Sequence, residues 1–162
     1  MNFNYATLQN YNEVYSSDLS NYTPQYDNEL KNINVYDAVL EGDNMEPEND
    51  TIAHGNLILI LDREVNGFFV SLNVHKIKDP IECVLQLLDK DDMVSETIMT
   101  IWKDKLNNLI TGRLTSTFFS LNKIGYNMND FYNLLCSQKV IVTIKTKSFP
   151  NGEIDGILKK IY

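Results

Sequence analysis

Apolar and polar positions alternate in short blocks along most of this chain, and that alternation predicts strands. Val35-Tyr-Asp-Ala-Val-Leu40 reads as one strand, and Gly42 to Asp50 after it is a polar loop. Gly55 to Asp62 (GNLILILD) is a continuous aliphatic run of strand length, the pattern of a strand buried on both faces or nearly so. Asn66-Gly67 signals a hairpin. The strand that follows alternates cleanly, with Phe68, Val70, Leu72 and Val74 on one face and Phe69, Ser71, Asn73 and His75 on the more polar one. Ile81 to Leu88 places Ile81, Cys83, Leu85 and Leu87 together. Thr97 to Lys103 sets Met99 and Ile101 against Ile98 and Trp102, and Leu109 to Phe119 is a further strand through Gly112. The segments Asp89 to Asp92 and Lys103 to Asn108 are turn-like.

One stretch breaks the strand pattern. Phe131, Leu134 and Leu135 fall at helical spacing, which predicts a single short helix over residues 129–137 with an Asn or Asp as its cap. The chain then closes on Lys139 to Lys147, rich in β-branched residues, and on the turn sequence Phe149-Pro150-Asn151-Gly152. A returning strand, Glu153 to Ile161, carries Gly156 between Ile154 and Leu158, and a glycine there marks a bulge or a close backbone approach. The expected fold is therefore all-β, an antiparallel β-sandwich or flattened Greek-key barrel of about 7–8 strands with one short helix.

Residues 1–34 differ from this 35–162 module. They hold five of the nine tyrosines (Tyr5, Tyr11, Tyr15, Tyr22 and Tyr26) and many asparagines, with few aliphatics and no sustained period. The expectation is an N-terminal arm without regular structure of its own, which buries its rings only against another surface. An inert tail is the alternative.

Composition narrows the function classes. At 162 residues the chain has a one-domain length, and 43% hydrophobic residues are enough for a core. Fourteen basic residues against 22 acidic give a net charge of −8, which argues against a nucleic-acid or anionic-membrane surface. No apolar run is long enough for a membrane-spanning helix, and MNFNYATLQNYNEVYSS has neither the basic nor the apolar region of a Sec signal. Cys83 and Cys136 are too few and too distant for a disulfide framework or zinc knuckle, and are expected as small buried hydrophobes, with a single bridge as the alternative. His54 and His75 are twenty-one positions apart, without the short spacing of a pre-paired metal site. The acidic pairs Asp91-Asp92 and Glu46/Glu48 read first as solvated loops, with calcium held in a loop as the alternative, since the ordered ligand alternation of an EF-hand is missing. There is no Gly-x-Ser-x-Gly elbow. No residue is nominated as catalytic, cofactor-binding or metal-ligating, and no cofactor is expected.

Two separated segments carry a family resemblance. The closing one is Phe149-Pro150-Asn151-Gly152-Glu153-Ile154-Asp155-Gly156-Ile157-Leu158. The opening one is Ala38-Val39-Leu40-Glu41-Gly42, then Glu46-Pro47, then Thr51-Ile52-Ala53-His54-Gly55. Both match, in order, the ends of the CHRD domain first named from chordin, and over residues 35–162 the chain resembles that family. Two departures stand out. Where the family carries His-Ile-His and a glycine-rich loop, this chain reads Cys83-Val84-Leu85-Gln86-Leu87-Leu88-Asp89, and Lys145-Thr146 replaces a His-Thr pair.

The resemblance implies a non-catalytic structural or interaction module with protein partners or self-association, in which the arm would take part. Richness in Asn, Lys and Ile suggests a low-GC Gram-positive source. There, cytoplasmic synthesis followed by deposition on the spore or cell surface needs no signal peptide. The alternative is a metal- or calcium-binding β-sandwich with an enzymatic role.

Overall fold

The structure, a computed structural model, describes residues 32–45, 47–103 and 113–162. Nearly all of the expected arm, Glu46, the turn expected before Asn108 and the start of the strand expected at Leu109 lie outside the described residues.

Among the described residues nine antiparallel strands form, most of them from the blocks that alternate in sequence. They are β1 (Ile33–Glu41), β2 (His54–Asp62), β3 (Gly67–His75), β4 (Pro80–Leu88), β5 (Val94–Lys103), β6 (Arg113–Ser120), β7 (Val140–Thr146), β8 (Ile154–Ile157) and β9 (Lys159–Lys160). They build one sheet in the order β5-β4-β7-β8-β1-β2-β3-β6, with β9 paired to β1, and the sheet curls into a half-barrel. The all-β expectation holds, and of the two architectures foreseen the flattened barrel is the nearer. Hairpins join β1 to β2, β2 to β3, β4 to β5 and β7 to β8. The connections after β3, β5 and β6 cross between the two halves of the sheet, in the manner of a Greek key.

One face of the sheet carries the core. Tyr36 and Leu40 of β1, Leu57, Leu59 and Leu61 of β2, Phe68 and Leu72 of β3, and Val142 of β7 are inaccessible to solvent, all at alternating positions. Helix α2 (Met128–Cys136) lies against this face, after the single turn α1 (Leu121–Ile124). Phe131 of α2 stacks on Phe68 at 5.2 Å between ring centres, and Phe68 on Phe119 at 5.5 Å. The expected helix is thus present, one residue earlier at each end. Its cap is Asn127, whose side chain accepts from the Asp130 amide at 2.9 Å. Helix α1 was not foreseen: it is one turn long, has no capping side chain, and ends on Gly125 in the left-handed region (φ 78°).

Two local readings change. The closing hairpin pairs Ile141 with Ile157 and Ile144 with Ile154, as expected. Its loop is longer than a two-residue turn, however. Of the Asn151-Gly152 pair only Gly152 has a positive φ (147°), and the amide of Gly152 donates to Phe149 O. The return strand also divides. Residues 154–157 pair with β7, Leu158 turns into the core, and residues 159–160 pair with β1.

Candidate functional site

β1 and β8 meet through a single ladder pair, Glu41 with Asp155. Gly156 makes this contact possible, since a Cβ there would lie 2.1 Å from Val39 O. The mid-strand glycine is therefore a close backbone approach, one of the two roles expected for it. Asn44 and Asn49 of the loop after β1 lace the seam. Asn44 Nδ2 donates to Asp155 O (2.7 Å), and Asn49 Nδ2 donates to Glu153 O (2.9 Å). The Thr51 hydroxyl donates to Glu153 Oε1 at 2.6 Å and accepts from the Ala53 amide. Thus the opening and closing segments that carry the family resemblance, a hundred residues apart in the chain, are hydrogen-bonded to each other.

On the face opposite the core, this seam opens into a groove of about 780 Å³. Val39, Leu88, Met93, Ile141 and Ile157 give it an apolar floor, and Asp37, Glu41, Asp91, Asp92 and Asp155 give it negative charge. Lys159 is the cation among its lining residues. Asp92 is neutralised by Lys139, whose Nζ lies 2.7 Å from its Oδ1. The remaining acids have no such partner among the described ion pairs.

Three polar atoms at the groove are buried with no hydrogen-bond partner: Asp37 Oδ1, Thr143 Oγ1 and Asp155 Oδ1. Thr143 and Asp155 are 2% and 5% exposed and stand directly opposite one another on β7 and β8. Orphaned buried acceptors are rare because each forfeits its hydration without replacement. Loss of water pushes the Asp155 carboxyl up to about 7, against the usual carboxylate range near 4. A hydrogen-bond donor that reached these oxygens would satisfy them, a positively charged one best.

No family model matches this chain, and no curated protein or solved structure is significantly similar to it.

The residues weighed from sequence fall in different places. Cys83 is fully buried, where desolvation raises its thiol pKa and keeps it inert. Cys136 is exposed at the end of α2, against the expectation that both cysteines are buried, because the helix turns it away from the Phe131 and Leu135 stripe. It remains 3.8 Å from the Tyr36 hydroxyl, and the two cysteines are not bridged. Asp91-Asp92 belong to a turn organised by Asp89, whose Oδ1 accepts from the amides of Asp91 and Met93. His54 and His75, distant in sequence, are direct cross-strand partners at the ends of β2 and β3. Among the described residues no three of His, Cys, Asp and Glu converge as metal ligands. Sequence reasoning missed the groove itself. Its signal was an aspartate set between Ile154 and Gly156 in an otherwise apolar strand, with Thr143 among β-branched neighbours.

Proposed function

We propose that this chain is a non-catalytic binding module whose groove takes an extended protein segment bearing lysine or arginine beside apolar side chains. The carrying observation is the set of buried, unpartnered acceptors on Asp155, Thr143 and Asp37, set beside an apolar floor. Charge complementarity selects the occupant, because an unpaired acidic groove repels anionic segments and a cationic donor would satisfy the orphaned oxygens. The groove is lined by residues of four neighbouring strands, β1, β8, β7 and β4, and of a turn, a spread that suits an extended segment better than a compact small molecule. The Thr143 hydroxyl has no base within hydrogen-bonding distance, which supports binding over nucleophilic catalysis. The resemblance to the CHRD family supports the same class, since those domains are regarded as binding or scaffolding units. The residues ahead of β1 carry Glu13, Asp18, Asp27 and Glu29 against Lys31, so they lack the charge that the groove calls for.

The test is fluorescence anisotropy with a labelled nine-residue peptide of alternating Lys and Leu, beside its Glu-Leu counterpart. Only the Lys-Leu peptide should bind, and Asp155→Asn should weaken it roughly tenfold to a hundredfold, the worth of a hydrogen bond to a charged group. Affinity should also rise as pH increases through about 7, where Asp155 loses its proton. Equal binding of both peptides, or an unchanged affinity in Asp155→Asn, would overturn the reading.

A further inference from the structure

We propose that His54 and His75 together bind a divalent transition-metal ion of the zinc, nickel or copper kind. The site adjoins the groove at Glu41, but it does not depend on the partner proposed for the groove. Folding of the β2–β3 hairpin sets the two residues directly opposite each other, and both side chains lie exposed on the face away from the core. Their ring centres are 5.3 Å apart. Two imidazole nitrogens bound at about 2.0–2.1 Å to a tetrahedral ion place their ring centres about 5.2 Å apart. The two rings are therefore close enough to reach one ion between them. The rings are stacked, with 28° between their planes, so ligation needs each exposed ring to pivot until its nitrogen faces the common point.

Three features favour a metal over mere stacking. The first is the His54 tautomer. Nδ1 lies 3.1 Å from Ile52 O, and a carbonyl can only accept, so Nδ1 carries the proton. In the neutral ring this leaves the lone pair on Nε2, the tautomer a ligating histidine holds when its other nitrogen donates to a backbone carbonyl. The second is Glu41, which stands opposite His54 on β1 and adds a negative charge to the same face. The third is ligand type, because paired imidazoles suit zinc, copper and nickel and not the hard ions calcium and magnesium. With two protein ligands the remaining positions fall to water.

The chain contains only two histidines, which makes the experiment unambiguous. Pulsed electron paramagnetic resonance of the full chain with one equivalent of Cu²⁺ should count two coordinated imidazoles. His54→Gln and His75→Gln should each count one. In calorimetric titrations with Zn²⁺, each substitution should weaken binding at least about tenfold, while circular dichroism reports an unchanged fold. A count of one or none in the unsubstituted protein would overturn the proposal. So would a Zn²⁺ affinity that both variants retain, which would place the ion among the carboxylates.

Discussion

Replacing Gly156 by alanine tests the seam between β1 and β8 directly. The new methyl would sit 2.1 Å from Val39 O, 2.9 Å from Val39 C and 3.2 Å from Leu40 Cδ2. The first two of these neighbours are backbone atoms, so no side chain can swing aside to relieve the clash. The strands must separate by on the order of 1 Å, beyond the reach of good dispersion contacts. Overpacking of this kind costs about 1–3 kcal/mol. Separation also stretches the bonds from Asn44 Nδ2 to Asp155 O and Val39 O, each worth roughly 0.5–1.5 kcal/mol net. The total is about 2–6 kcal/mol, or a fall in melting temperature of roughly 5–25 °C for a domain of this size. Urea titrations followed by circular dichroism measure it. Gly125→Ala is the control, because nothing lies within 4 Å of its added methyl and its φ of 78° alone brings a cost of about 1 kcal/mol. A loss at Gly156 below about 0.5 kcal/mol, or no greater than that at Gly125, would refute the close-approach argument.

Two further outcomes follow from the same seam. Because the folded Asp155 carboxyl titrates near 7, above its unfolded value of about 3.9, its contribution to stability is fully present below about pH 4 and is lost as pH rises through 7. Asp155→Asn should therefore be more stable than the parent at pH 8 and nearly equal to it at pH 4, and a parent that is the more stable at pH 8 would contradict the assignment. Thr51→Val and Glu153→Gln should each destabilise, and a double-mutant cycle should return a coupling of about 1 kcal/mol; strict additivity would mean that their 2.6 Å bond contributes nothing.

Local patterning made most of the sheet legible. Period-two alternation separated the two faces of β3 and β5, since a half-buried strand writes its environment into every second residue. The aliphatic run of β2, read as buried on both faces or nearly so, is fully buried at Leu57, Leu59 and Leu61 and half-buried at Ile58 and Ile60. The helix was visible in Phe131 and Leu135. Legibility failed where an outcome depends on pairing between distant strands. Nothing local shows that residues 153–161 divide between two partners, or that His54 faces His75. The groove was hidden for the same reason. Its acids come from two strands and a turn, and each taken alone reads as an ordinary solvent-facing polar position. Only the register of β1, β8 and β7 makes Asp155 buried and unpartnered.

The division of the last strand also bears on how the chain reaches this structure. Tyr36 pairs with Lys160, and Val35 exchanges backbone bonds with Ile161 and Tyr162. One half of the sheet is thus attached to the other by residues that are synthesised after all the other described strands. Until they emerge, β1 keeps an open edge toward β8, and the core face that Leu158 covers stays wet. Pairings of such long sequence separation form slowly, and exposed strand edges recruit other chains in the meantime. Synthesis rate, and any helper that shields the β1 edge, should therefore govern the yield of folded protein more strongly than the equilibrium stability of the finished sheet.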